Sequence, residues 1–439
     1  MLQIWIWILA AILLTQIFLR RKIRLEHYIW MLLPIDMYGI DTFGFTVKPY
    51  MIFCLLLTVR LFYRYGGRFY IGSTHTTIGI LLCCLAFVAN SLNNNQVSSI
   101  MASAMVLIVI LCCLSYISNI SDTYDDIPEV LIASSIGYGI VYTVAYVALS
   151  LGVTLPGICA LSRMDTGIFM QFNNMYKGTF IQEYRLRGFS IDPNVVIGTF
   201  APAFAIALPQ VLLRKANWRS YLSILLSVIS VILTGSRMAL IILAIIVLLS
   251  LIIVFREMPK SKRGTYVALA VFFAFILLLI ALASDIADRL VTNLFGAYTN
   301  RAGLSDEYGR FSIWKEAWSV LWSHNVFLGL GTGQLQYLSL HGLAAHNTWL
   351  EWVCGCGILV GTGIVIYFFY TSIWLWKKSK AIHITDTFFF ASQGLTLGAL
   401  SIVAALVSVD NVTNSNLWFL CFTGQALFDF VLSNQTKLE

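Results

Sequence analysis

Charge is what this sequence has least of. Only 11% of its 439 residues are Asp, Glu, Lys or Arg, while 59% are hydrophobic. Soluble globular domains carry about 25% charged residues. That shortage excludes an ordinary soluble domain, and no stretch is long or polar enough to form one separately. Repeated apolar runs of about 18 residues or more predict an all-α polytopic integral membrane protein. A Gly-x-x-x-x-Gly-Lys phosphate loop is missing, as are internal repeats and low-complexity tracts. Metal-ligand spacing is missing too: the acidic pairs Asp125–Asp126 and Asp285–Asp288 stand apart from the basic residues, so neither metal nor cofactor is expected. The 9 cysteines are an odd number, and most lie inside apolar runs, as Cys83–Cys84 and Cys112–Cys113 do. Cys354 and Cys356 form C-x-C without the second pair a zinc site needs, and read as packing residues. Cys159 alone falls in an outer loop.

What is there is a series of apolar runs near 3–19, 27–36, 48–63, 75–92, 98–117, 129–154, 193–213, 219–235, 237–255, 264–283, 347–375, 385–409 and 415–433. The second is short and polar at its end, so the expected count is about 12–14 spans. The first run has no basic residue before it and Arg20, Arg21, Lys22 and Arg24 after it. A secretory signal has the reverse order, so a retained helix is expected.

Lys and Arg in the short loops set the orientation. The clusters Arg20–Arg24, Arg60–Arg68, Arg214–Arg219, Arg256–Arg263, Lys377–Lys380 and Lys437 hold the larger share of the 28 basic residues, and they alternate correctly with the spans. That side is expected to be cytoplasmic. The net charge of +7 is thereby read as membrane topology, with no nucleic-acid partner implied. The expected organisation is N-terminal spans over 1–154, an outer loop with an arginine-rich end over 155–192, central spans over 193–283, a large outer loop with an amphipathic helix over 284–346, and C-terminal spans over 347–439. Short interfacial helices are expected in both long loops. Arg163, Lys177, Arg185, Arg187, Arg237, Arg289, Arg301, Arg310 and Lys315 all fall on the outer side.

Four outward segments carry candidate chemistry. In YRLRGFSIDPNVVIG (184–198), Asp192-Pro193 is a helix-start signal, which sets Arg185 and Arg187 ahead of a helix amino terminus. Such a terminus favours an anion, and guanidinium groups bind phosphate in bidentate fashion. Contact with lipid headgroups is the plainer alternative for both. Arg237 stands between two apolar runs in TGSRMA, where small neighbours allow close backbone approach. An arginine in such a span costs about 2.5–3.5 kcal/mol near its centre, so its presence suggests a role. The segment from Asp306 to Trp322 reads as an amphipathic interfacial helix, with Phe311, Trp314, Trp318, Leu321 and Trp322 on one face and Arg310 at its start. Gly329-Leu-Gly-Thr-Gly333 reads as a sharp re-entry into the membrane. In HNTWLEW, Thr348 and Glu351 match a capping box, and His346 and Asn347 precede it. A histidine there could act as a general base or hydrogen-bond donor, with His341 as second choice.

The order of these pieces resembles the O-antigen polymerase and O-antigen ligase superfamily, bacterial polytopic glycosyltransferases acting on undecaprenyl-pyrophosphate-linked glycans. The matching pieces are RGFSIDPNVVIG, LTGSRMA, GRFSIW followed by LGLGTGQ, and HNTWLEW. The resemblance implies that Arg187, Arg237 and Arg310 hold and stabilise the pyrophosphate electrostatically, without a metal. His346 would activate or orient the acceptor hydroxyl. Arg185, Asn194 and Asn347 would bind pyrophosphate or sugar, and the apolar helices the polyprenyl tail. It further implies a bacterial inner-membrane protein with a periplasm-facing site, and suggests a chain-length regulator and a flippase as partners. Arg187 and Gly198 fit an arginine–ten residues–glycine spacing associated with the polymerases, which favours polymerase over ligase. No second copy follows Arg301 or Arg310. A transporter for an anionic lipid or glycan is the alternative from another class. One-sided arginines and the absence of paired broken helices in two halves argue against it.

Overall fold

The computed structural model describes residues 2–42, 45–72, 74–93, 97–120, 123–153, 155–161, 165–176, 179–190, 192–257, 261, 263–264, 310–339, 342, 345–383, 388–408 and 414–435. The span expected at 264–283, apart from its first residue, lies outside them, as do Arg163, Lys177, Arg289, Arg301 and His341.

The amino-terminal part runs α1 (Leu2–Phe18), α2 (Leu25–Leu32), a short hairpin of β1 (Ile40–Thr42) and β2 (Phe45–Val47), then α3 (Pro49–Tyr65), α4 (Thr74–Leu92), α5 (Val97–Ile117) and α6 (Ile127–Ser150). Three strands follow, β3 (Cys159–Ala160), β4 (Phe169–Tyr176) and β5 (Thr179–Leu186), then α7 (Ile197–Leu212), α8 (Trp218–Leu233) and α9 (Arg237–Glu257). The carboxy-terminal part holds α10 (Arg310–Ser323), α11 (Leu335–Leu338), α12 (Thr348–Ser379), α13 (Phe389–Ala405) and α14 (Ser415–Gln435). Among the described residues 5 helices are long and apolar enough to cross a membrane, and shorter apolar helices accompany them. The chain is an all-α polytopic membrane protein.

These helices are apolar all round, so small residues decide which face is buried. In α1 the buried stripe is Ile4, Ile8, Ala11 and Thr15, while Ile6, Leu9, Leu13 and Ile17 are exposed. The stripe rests on α6, where a Cβ at Gly137 would lie 2.3 Å from Thr15 Oγ1 and 2.6 Å from the Ala11 carbonyl. Helix ends assigned to one side by their basic residues do meet. Arg219 at the start of α8 donates to the Phe18 carbonyl (2.7 Å) and to Glu129 of α6 (2.7 Å). At the opposite ends, the Trp7 indole donates to the Pro156 carbonyl (2.9 Å).

Three expectations need revision. The 155–192 loop was expected to hold interfacial helices, but it is built on an antiparallel β4–β5 ladder, with β3 parallel to β4. Its sequence explains this: aromatic, amide and β-branched residues run through 169–186 without a helical stripe. Helix α7 begins at Ile197, not at Pro193. Asp192 accepts from the Asn194 amide (2.8 Å) and closes a local turn, which moves the helix start by one turn.

The third revision concerns the span expected at 347–375. Helix α12 is broken at Gly357 (φ 81°, ψ 166°). The two parts fold back on each other. A Cβ on Gly361 would lie 2.4 Å from the Trp352 carbonyl, and the Trp349 ring is centred 5.9 and 5.3 Å from Phe368 and Phe369. Residues 349 and 368 would be roughly 28 Å apart on a straight helix at ~1.5 Å per residue. Residues 348–356 are therefore a short re-entrant helix lying against the long one.

Candidate active site

The re-entrant helix owes its bend to the glycine-rich stretch before it. Gly329, Gly331 and Gly333 all have positive φ (82°, 96° and 76°). This backbone supplies the hydrogen bonds that the break removes: Leu330 N–H donates to the Cys354 carbonyl (2.6 Å), Gly331 N–H to Gly355 (3.0 Å), and Ile358 N–H to Val326 (2.9 Å). Irregular backbone is tolerated at membrane depth only when paired in this way. Asn90 of α4 accepts from the Thr332 amide (2.7 Å), and Asn93 donates to the Gly329 carbonyl. Sequence reasoning missed both asparagines; an amide near the end of an apolar helix was the available signal.

Residues 345–351 follow. The first helical amides of α12 are capped by Asn347, whose Oδ1 accepts from Trp349 N–H (3.0 Å) and Leu350 N–H (3.2 Å). The expected capping box on Thr348 is thus displaced by one residue, since an asparagine side chain caps at least as well as a threonine. Glu351, buried, accepts instead from the Ala345 amide (2.9 Å). The Trp314 indole of α10 donates to the carbonyl of the same residue (2.9 Å). Between Ala345 and Asn347 stands His346, with φ +49°. A cavity of about 250 Å³ is lined in part by Trp314, Trp318, Asn347 and Trp349.

Helix α10 buries Ala317 and Leu321 against α12, with Trp314 partly buried. Phe311, Trp318 and Trp322 point outward, so most of the expected aromatic stripe faces away from the protein, as an interfacial anchor would. Arg310 opens this helix and is partly buried.

The arginine-rich end of the first loop behaves differently. Arg187 is wholly buried. Its Nε donates to the Gly167 carbonyl (3.0 Å) and an Nη to the Asp165 carbonyl, so the guanidinium is turned into its own loop. Gly188 (φ 59°) lets the chain pass Tyr142, whose hydroxyl a Cβ would meet at 2.5 Å. Burial raises the pKa of the nearby Cys159 thiol, and the Arg187 charge opposes that rise. Arg185, also buried, donates to the Thr234 carbonyl (2.9 Å) and at 3.5 Å to that of Gly235. It thus places a cation on the carboxyl end of α8, where the helix dipole favours one.

Asn194 completes the link to that junction, accepting from the Ser236 hydroxyl. Ser236 in turn accepts from the Ala239 amide (3.2 Å) and caps α9, whose first residue is Arg237. Arg185 and Asn194 are therefore wired to the turn that presents Arg237. Asn194 also lines a water-sized cavity with Gly198, Leu406 and Asn414. Among the described residues, no group of three or more His, Cys, Asp or Glu side chains is arranged to hold a metal ion.

Residues 222–367 match the family model for O-antigen ligase. This segment is similar to that family. It spans most of α8, the Arg237 turn, α9, α10, the glycine-rich stretch, the re-entrant helix and the start of the long helix that follows. Arg237, Arg310, His346 and Asn347 lie within it, whereas Arg185, Arg187 and Asn194 precede it. The match supports the O-antigen polymerase and ligase superfamily that the motif order resembles, and with it a glycosyl transfer of the ligase or polymerase type. No curated protein matches the chain.

Proposed function

We propose that the protein is a polymerase of surface polysaccharide. It joins oligosaccharide repeat units carried on undecaprenyl pyrophosphate, at the outer face of the bacterial inner membrane and without a metal. The observation that carries this reading is the His346 segment: an imidazole on left-handed backbone, at the mouth of a re-entrant helix inside the family-matched region. In this reading His346 takes the proton of the acceptor sugar hydroxyl as that oxygen attacks the anomeric carbon of the donor. The bond from that carbon to the pyrophosphate oxygen breaks, and undecaprenyl pyrophosphate leaves. Arg310 and Arg237 stabilise the charge that develops on it. Asn347, which lines the 250 Å³ cavity, contacts sugar. Arg185, Asn194 and Arg187 act at one remove, the first two by fixing the Arg237 turn and the third by fixing its own loop. A length regulator and a flippase would work beside it.

Ligase is the second reading, favoured by the description of the matched family; there the acceptor is the lipid A-core oligosaccharide. Deleting the gene and resolving the surface glycan on a gel separates the two. A polymerase leaves acceptors capped by a single repeat unit. A ligase leaves polymer that stays lipid-linked, with no capped acceptor. An unchanged ladder from the deletion strain contradicts both.

A further inference from the structure

His346 holds a backbone conformation that non-glycine residues seldom adopt, and such conformations persist only where their surroundings fix them. Here the residue on its amino side is held at both ends. Ala345 N–H donates to Glu351 Oε1 (2.9 Å), and the Ala345 carbonyl accepts from Trp314 Nε1 (2.9 Å). On the other side the Asn347 cap fixes the next turn. The two clamping side chains come from different elements, α12 itself and the interfacial helix α10. Glu351 is 5% exposed and Ala345 0%, so water does not substitute for either bond. We infer that Glu351 and Trp314 are positioning residues for the transfer reaction, holding residue 345 so that the His346 imidazole is presented to the acceptor. This rests on the assignment of His346 under Proposed function.

The arrangement also couples α10 to the chemistry. Arg310 begins the helix that carries Trp314, so the same bond that orients His346 ties it to the helix bearing a pyrophosphate-binding candidate. Loss of either clamp frees the Ala345 peptide. The imidazole then shifts, and the rate falls more than substrate binding does.

The test uses the purified full-length protein in lipid nanodiscs, with lipid-linked oligosaccharide as substrate. It compares Glu351→Ala, Glu351→Gln, Trp314→Phe and His346→Ala for kcat, KM and the amount of folded protein. Misplacing a reacting group by about 1 Å costs on the order of a hundredfold, so Glu351→Ala is expected to lose roughly tenfold to a hundredfold in kcat. Its KM is expected to stay within about twofold, as for a group made effective only in the transition state. Glu351→Gln keeps an oxygen acceptor for the Ala345 amide and is expected to retain most of the rate. Trp314→Phe keeps the ring but not the donor, and is expected to lower kcat in the same way. If Glu351→Ala does not fold, Trp314→Phe alone decides. Wild-type kcat in whichever of these two variants folds overturns the clamp, as does a Glu351→Gln defect equal to that of Glu351→Ala. An inactive His346→Ala beside unaffected clamp variants overturns the clamp alone. A fully active His346→Ala overturns the assignment on which it rests.

Discussion

Arg187 and His346 stand in loop segments of similar polarity, yet the fold treats them in opposite ways. The Arg187 guanidinium is wholly buried and donates to carbonyls of its own loop. His346 is only partly buried, and it is the residues on either side of it that are tied down, Ala345 by its backbone and Asn347 by its side-chain cap. In the first case the side chain fixes the backbone. In the second the neighbouring residues are fixed on either side of the side chain. A gathering of charge in a sparsely charged membrane protein therefore has two meanings, and the hydrogen-bond partners tell them apart.

Substitutions can break this contrast, beginning with the largest expected effect. Gly357→Ala would set a Cβ 1.9 Å from the Phe327 carbonyl, at a φ of 81° that side chains rarely adopt. The re-entrant helix would not form, and little folded protein is expected by detergent size-exclusion chromatography. Arg185→Ala removes charged donors from the end of α8. The expected loss is about 1.5–3 kcal/mol, read as a lower thermal midpoint. Asn347→Ala removes a helix cap worth about 1 kcal/mol, and Asn347→Asp should restore it. The smallest effect concerns Cys159. Burial holds its pKa above the ordinary thiol range, so its thiolate fraction at neutral pH lies below that of a free cysteine and rises as pH climbs. Alkylation by a membrane-impermeant maleimide in intact cells should be slow at pH 7 and accelerate at higher pH. A rate at pH 7 equal to that of a free cysteine peptide would contradict this burial.

Much of the fold was legible because membrane spans follow from length and hydropathy. The tight backbone at Gly329–Gly333 was legible too, since three alternate glycines permit backbone that other residues resist. The break at Gly357 was not: nothing in GCGILVGTG separates a glycine that packs in a helix from one that ends it. That depends on the distant Val326 carbonyl accepting the Ile358 amide. The β4–β5 ladder was hidden among loop residues, and its register exists only through pairing between strands. At the candidate site, sequence pattern gave the cap to Thr348, whereas Asn347 holds it. It also placed Arg187 at the pyrophosphate, because a motif shows which charges lie near a helix start and not where each side chain turns. The bonds from Glu351 and Trp314 to Ala345 had no sequence signal.

The most direct test is a matched pair, His346→Ala and Arg187→Ala, each expressed in the deletion strain and measured for membrane abundance and for glycan polymerised per folded molecule. His346→Ala is expected at wild-type abundance with no ladder. Arg187→Ala is expected to fall sharply in abundance, since each charged hydrogen bond lost to a buried carbonyl costs about 1.5–3 kcal/mol, while each surviving molecule still turns over. A normal ladder from His346→Ala, or an abundant but inactive Arg187→Ala, would contradict the division between the site that reacts and the loop that holds it.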